Sequence, residues 1–186
     1  MTAPSNSLPD LLRDGLGVVF VGINPSLYSV AQGHYFARRS NRFWRCFSRS
    51  VLSEGARQAL GVASLEPRHD RALLEHGFGF TDVVKRASAR AGELSLSEFA
   101  AGVAHLTAKL DHHKPCIACF HGVTGYKHVQ RALLPGAALP LLGTQELRIG
   151  VTRCFLVPSP SAANAHFTPA DQTRWYDRLA EFLHSV

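Results

Sequence analysis

Apolar residues in this chain fall into short unbroken runs, and between the runs they recur at helical spacing. The first run, residues 17–21, carries Val18, Val19, Phe20 and Val21 in succession. A strand with no polar face is one covered on both sides, as in a parallel sheet between helices. Further runs over 115–121 and 151–157 read the same way, and a short run over 145–149 precedes the last of them at Gly150. That pair forms either a hairpin at a sheet edge or a bend into the final core strand. Helices are predicted between the runs. Ser95-Leu96-Ser97-Glu98 is a capping box, followed by Leu96, Phe99, Val103, Leu106 and Leu110 on one face. Asn41 is placed to cap a helix through Phe43, Trp44, Phe47 and Val51, with Trp44 in the core, and residues 66–76 read as a helix stopped by Gly77. A helix over 122–134 leads into a Pro- and Gly-punctuated connection over 135–142. Thr168, with Pro169 and Asp171 behind it, opens the last helix, which runs to about residue 184. A short helical turn over 8–16 is expected to feed the first strand. The pattern as a whole predicts an α/β protein.

Composition narrows this picture. The chain has 186 residues, 46% of them hydrophobic, which suits one domain spanning 1–186 with a sizeable core and residues 1–10 as a loose tail. Lys and Arg outnumber Asp and Glu by 20 to 14, so a polyanion is a better partner than an acidic protein surface. The first ten residues lack the basic and then apolar order of a secretory signal. No apolar run approaches the roughly eighteen residues that cross a bilayer. A cytoplasmic protein with no membrane partner is the expectation. Cys116 and Cys119 have C-x-x-C spacing, but they lie in a predicted strand that points them to opposite faces, and Cys46 and Cys154 are isolated. Buried reduced thiols are expected. The histidines, His112, His113 and His121 among them, offer no i, i+4 pair, so neither a metal nor another cofactor is predicted. No G-x-G-x-x-G or G-x-x-x-x-G-K-[ST] cradle supports a nucleotide-binding enzyme.

Candidate chemistry gathers where strands end. Ligands of open α/β sheets bind outside the carboxyl ends of strands, and Asn24 is the polar side chain at the first exit. It either serves the site or makes an Asx turn that ties down its own backbone. Residues 24–39 form a long loop carrying Gly33, His34, Tyr35, Phe36, Arg38 and Arg39. Rings beside paired arginines suit base stacking and phosphate contact, or simply anchor the loop. Asp82 is a carboxylate inside the apolar stretch 77–86. It caps a turn, pairs with Lys85 or Arg86, or orients a water. Arg86 and Arg90 add positive charge to a polar loop over 88–93. A second polar loop, Pro158 to His166, leaves the last strand.

Four motifs occur in order: Gly22-Ile23-Asn24-Pro25; His34-Tyr35-Phe36 with Asn41-Arg42-Phe43-Trp44; Thr81-Asp82-Val83-Val84-Lys85-Arg86; and Val157-Pro158-Ser159-Pro160-Ser161. Together they resemble the mismatch-specific uracil/thymine-DNA glycosylases of the uracil-DNA glycosylase superfamily, from about Leu16 to His184. The resemblance implies a three-layer α/β/α sandwich on a mainly parallel sheet of about four or five strands. It implies that Asn24 holds the hydrolytic water, that Phe36 stacks on a flipped base, and that Ile23 contacts that base through its backbone. Residues 159–165, among them Ser159, Pro160, Ser161, Ala162, Ala163 and Asn164, would enter the minor groove, with His166 beside them and Arg38 and Arg39 on the phosphates.

Three departures follow from the resemblance. Ser26 stands where Gly is common, so with Tyr28 it is expected to set pocket width. Ala163 occupies the place of a larger wedge residue. Either Asn164 or His166 substitutes for it, or the protein depends less on duplex and accepts single-stranded DNA. Asp82 stands where relatives carry Asn or Lys, and is expected to help Asn24 activate water. The implied function is a monofunctional DNA glycosylase, acting as a monomer, that releases uracil from G:U mismatches and other altered pyrimidines in base excision repair. No lysine in the first motif could form a Schiff base, although Lys85 lies close to Asp82 in sequence. The alternative is a catalytically silent module that binds DNA damage.

Overall fold

The computed structural model describes residues 6–186. Five strands form one sheet: β1 (Val18–Gly22), β2 (Phe78–Asp82), β3 (Ile117–His121), β4 (Gly143–Ile149) and β5 (Thr152–Val157). Their order is β2-β1-β3-β5-β4, with every neighbouring pair parallel except β4 and β5. The run over 145–149 is thus one arm of an edge hairpin turned at Gly150. Six helices join the strands: α1 (Leu27–Gln32), α2 (Phe43–Arg49), α3 (Glu54–Leu60), α4 (Leu96–His113), α5 (Val123–Leu133) and α6 (Pro169–His184).

The period of two along each strand sorts the core into two layers. Val18, Phe20, Phe80 and Cys119 face α2, α3 and α6, whereas Val19, Val21, Ala118 and Phe120 face α4 and α5. The first layer is aromatic. Phe20 touches Phe43 edge-on at a centroid distance of 5.0 Å and Phe47 at 5.3 Å, and Tyr176 of α6 closes the group. The expected α/β/α sandwich is therefore present, with its sheet buried on both faces.

Because β1 is followed to one side by β2 and to the other by β3, strand order reverses at β1. A crevice opens outside the carboxyl ends of strands at such a point. Close packing fixes the helix layer behind β2. A β-carbon at Gly102 of α4 would overlap the Val83 carbonyl, so α4 lies against the backbone just beyond β2.

Several expectations are corrected. Residues 8–16 form no helix; Leu11 bridges Phe80 antiparallel, its N–H donating to the Phe80 carbonyl at 2.9 Å and the reverse bond also 2.9 Å. The outer edge of β2 needs backbone partners, and this segment supplies them. Leu8 is buried and Asp10 receives hydrogen bonds from Thr81 and Lys85, so the anticipated tail does not reach these residues. The tail's first five residues lie outside the described ones. The long loop is interrupted by α1, which Ser26 caps. The helix after Asn41 stops at Arg49, and Val51 is exposed on a 3₁₀ turn. Residues 66–76 make two 3₁₀ turns instead of one helix, although Gly77 does end them in the left-handed conformation. Leu96, the first residue of α4, is exposed. Cys116 precedes β3 and is exposed too, so only Cys46, Cys119 and Cys154 are buried thiols. Among the described residues no helix is long and apolar enough to cross a membrane.

Candidate active site at the carboxyl ends of the strands

A cleft of about 240 Å³ opens outside β1, β2 and β3. Ile23, Asn24, Ser26, Phe36, Arg38, Asp82, Ser159, Pro160 and Ser161 all line it, so residues from all four motifs meet there. Each arrives for a local reason. Asn24 follows β1, where Gly22 and Pro25 end the strand. Asp82 is the last residue of β2. Ser159 to Ser161 follow β5 along a segment stiffened by Pro158 and Pro160.

Asn24 is tied into the protein by one end of its carboxamide. Nδ2 donates to Ser88 Oγ at 2.8 Å and to the Arg86 carbonyl at 3.0 Å, with the Pro25 carbonyl at 3.3 Å. The bond to its neighbour Pro25 belongs to the turn; the bonds to 86 and 88 reach across to the chain leaving β2.

Asp82 is buried against Gly22, and its Oδ2 makes no hydrogen bond with the described residues. Lys85 Nζ lies 3.9 Å away, too long for a hydrogen bond. Burial pushes the carboxyl up to about 7, with Lys85 opposing the rise. Lys85 itself is directed elsewhere, donating to Asp10 Oδ1 at 2.8 Å and to Tyr35 Oη at 3.1 Å. Burial would raise the Asp10 carboxyl, but hydrogen bonds from Lys109 and Lys85 overcome it and hold the group below its ordinary range. Arg86 does not pair with Asp82; it binds Glu98.

Phe36 adopts φ +53°, a backbone conformation disfavoured for a large side chain. Its surroundings impose this. Buried Asp70 accepts from the Tyr35 N–H at 3.0 Å and contacts His34 Nδ1 at 3.1 Å, and on the other side the Ala37 N–H donates to Ser29 Oγ at 3.2 Å. One face of the Phe36 ring stacks on Phe43 at 4.4 Å, and His121 meets it edge-on at 5.1 Å. Held in this way, Phe36 lines the cleft. His121, the last residue of β3, is buried and neutral, since burial pushes its imidazole down to about 3.

The loop after β5 is held by Arg42. Its guanidinium donates to the carbonyls of Ser161, Asn164 and Phe167, and its backbone N–H donates to the Pro160 carbonyl at 2.9 Å. Asn164 Nδ2 closes the loop on the Ser159 carbonyl at 3.0 Å. Ala162, Ala163 and His166 are exposed on the rim and do not line the cleft; neither does Arg39.

Two expectations about pocket width change. Ser26 lines the cleft, but its Oγ accepts from the Ser29 N–H at 3.1 Å and so caps α1. Tyr28 is 42% exposed on α1 and does not line the cleft, because the turn of α1 carries it outward. Sequence reading also missed residues the cleft uses. Leu8 and His121 line it, and Asp70, Arg42 and Ser88 hydrogen-bond the residues Tyr35, Ser161 and Asn24 that do. Arg42 carried a signal by falling within the second motif, and His121 by ending the predicted strand over 115–121. One trio among the described residues could meet a cation, Asp14, His112 and His113, whose ligand atoms lie within 4.8 Å of one another. It sits at the opposite end of the sheet, before β1 and β3 begin.

Comparison with known proteins agrees with this architecture. The family model described as Uracil DNA glycosylase superfamily matches residues 9–181. A solution NMR structure of a proposed uracil DNA glycosylase from Methanosarcina acetivorans superposes with a TM-score of 0.59, covering 97% of this chain and 98% of that one. The identity is 19%, and the likeness is one of fold.

Proposed function

The chain belongs to the uracil DNA glycosylase superfamily, and from that premise we propose that it is a monofunctional DNA glycosylase releasing uracil, notably from G:U mismatches, in base excision repair. The observation that carries the reading is the convergence of Asn24, Asp82, Phe36 and Ser159 on one cleft. Members of the superfamily are DNA glycosylases, and the basic balance of the chain suits a DNA partner.

Cleaving the glycosidic bond builds positive charge on the sugar and negative charge on the departing base. Water adds to C1′ as the bond from C1′ to the base nitrogen breaks, and the base keeps the electron pair. Asn24 can orient that water through Oδ1 but cannot take its proton. Asp82, titrating near neutrality, is matched to accept it. Phe36 stacks on the flipped base and Ile23 meets it through its backbone. A mispaired uracil costs least to flip, which favours G:U without elaborate base readout. Lys85, engaged by Asp10 and Tyr35, is not free to attack the sugar, in keeping with a monofunctional enzyme. Arg38 and Arg39 suit phosphate contact, and where Ala163 cannot wedge either Asn164 or exposed His166 substitutes, or the protein accepts single-stranded DNA.

The test is incubation of an end-labelled duplex holding one G:U pair, followed by alkali. Strand breakage by the wild type, reduced at least about a hundredfold in Asn24→Ala, supports the enzyme. Binding without breakage points to a damage-binding module, and equal breakage by Asn24→Ala removes the assigned chemistry. Thymine and etheno-modified bases, in single and double strands, define the range.

A further inference from the structure

We propose that Ser88 is the positioning residue that orients Asn24 toward the water, an inference that rests on the glycosylase reading above. The argument turns on protons. Ser88 Oγ has one, and it goes to the Arg90 carbonyl at 2.8 Å. Ser88 therefore faces Asn24 with lone pairs only. The Arg86 and Pro25 carbonyls likewise offer only lone pairs. All three groups around one end of the carboxamide are acceptors, so that end must be Nδ2. A flipped amide would set Oδ1 against three oxygens.

Oδ1 makes no hydrogen bond with the described residues, and it is the side-chain acceptor Asn24 has left for the cleft. Ser88 can do this because it is itself fixed. It is 5% exposed, it bridges Ser26 in parallel, and its N–H lies 3.3 Å from the Pro25 carbonyl. The hydroxyl also stands in a chain of bonds running from Asn24 to Ser88 to Arg90, in which each bond polarises the next. Removing the hydroxyl leaves two carbonyl acceptors and a looser carboxamide. Substrate binding, which relies on Phe36 and the rim loops, is untouched. The loss falls on the chemical step.

The experiment uses the full chain with Ser88→Ala, Ser88→Thr and Ser88→Val, alone and with Asn24→Ala. Single-turnover base release is measured on a G:U duplex, and affinity on the same duplex carrying 2′-fluoro-deoxyuridine, which resists cleavage. Ser88→Ala and Ser88→Val are expected to slow release roughly tenfold, with affinity within about twofold of wild type. Ser88→Thr, which keeps the hydroxyl on a side chain shaped like Val, retains the rate. In the Asn24→Ala background Ser88→Ala has no further effect, because it acts through Asn24.

The proposal is overturned if Ser88→Ala keeps the wild-type rate while Asn24→Ala is impaired, if the two losses multiply, or if affinity falls in step with rate. Should the Ala and Val variants unfold, solvent exchange of the Asn24 side-chain amide in labelled Ser88→Thr and wild-type protein decides: protection in both supports the bond, and rapid exchange in both overturns it. A wild type that releases no base, or an Asn24→Ala variant as fast as wild type, instead removes the glycosylase reading and the proposal with it.

Discussion

The carboxylate of Asp82 lies over the α-carbon of Gly22, so close that a β-carbon at position 22 would overlap Oδ1. Glycine at the end of β1 is thus what lets a carboxyl group occupy the floor of the cleft. Gly22→Ala is expected to displace Asp82 and to abolish whatever Asp82 contributes to base release, measured in the single-turnover assay.

The titration of Asp82 near pH 7 predicts two pH dependences of opposite sign. As a base it must be ionised, so release of uracil rises with pH up to about 7 and then levels. Asp82→Asn flattens that rise and slows release by about a hundredfold. Stability runs the other way. The unfolded chain gives up this proton near pH 4 and the folded protein holds it to about pH 7, so the contribution to stability is complete below pH 4 and is lost as pH rises through 7. Asp82→Asn should therefore stabilise more at pH 8 than at pH 4, by up to about 4 kcal/mol. Thermal unfolding at the two pH values checks this.

Asp70 holds Phe36 from a distance. Asp70→Ala strands the buried Tyr35 N–H and releases His34, costing about 1–3 kcal/mol of stability. It also lets Phe36 leave its left-handed backbone, so KM for a uracil-containing strand should rise more than kcat falls. Steady-state kinetics beside urea unfolding separate the two effects.

Arg42→Lys tests the rim loop. A guanidinium fork can reach the Ser161, Asn164 and Phe167 carbonyls together, whereas an ammonium on a single stem cannot. Affinity for duplex should fall about tenfold, while release of uracil from single strands changes little. Fluorescence anisotropy with the two kinds of strand reads the difference.

Gly102→Ala places a methyl group into the Val83 carbonyl, which is backbone and cannot swing aside. The cost should be about 1–3 kcal/mol by chemical unfolding. Gly92→Ala, where an added β-carbon meets nothing within 4 Å, is the neutral comparison.

Lys85 is held by Asp10 and Tyr35, so borohydride added during turnover should trap no covalent complex between protein and DNA. A trapped species lost in Lys85→Arg would make the enzyme bifunctional.

Much of the frame was legible because it rests on local rules. The all-apolar strands, the capping boxes at Ser95 and Thr168, and the polar residues at the exits of β1 and β5 are each written in a few consecutive residues. The helix missed inside residues 24–39 begins after Pro25 and has fewer than two turns, too short for a periodic signal to outweigh the flanking Gly and Pro. The segment before β1 was misread for another reason. Its conformation answers the open edge of β2, about seventy residues away, and nothing in its own composition records that need.

By itself the sequence determined the alternation of buried strands with helices and the identity of Asn24 as the polar residue at the first exit, since periodicity and strand ends are short-range properties. Only the tertiary structure decided what surrounds that residue. That Ser88 faces Asn24 with lone pairs, that Asp82 is buried without a hydrogen-bonded partner for Oδ2 among the described residues, and that Lys85 turns to Asp10 depend on distances between segments joined only through the sheet. Hydrogen-bond direction and desolvation are set by three-dimensional neighbours, and those are what make an ordinary asparagine and an ordinary aspartate chemically particular.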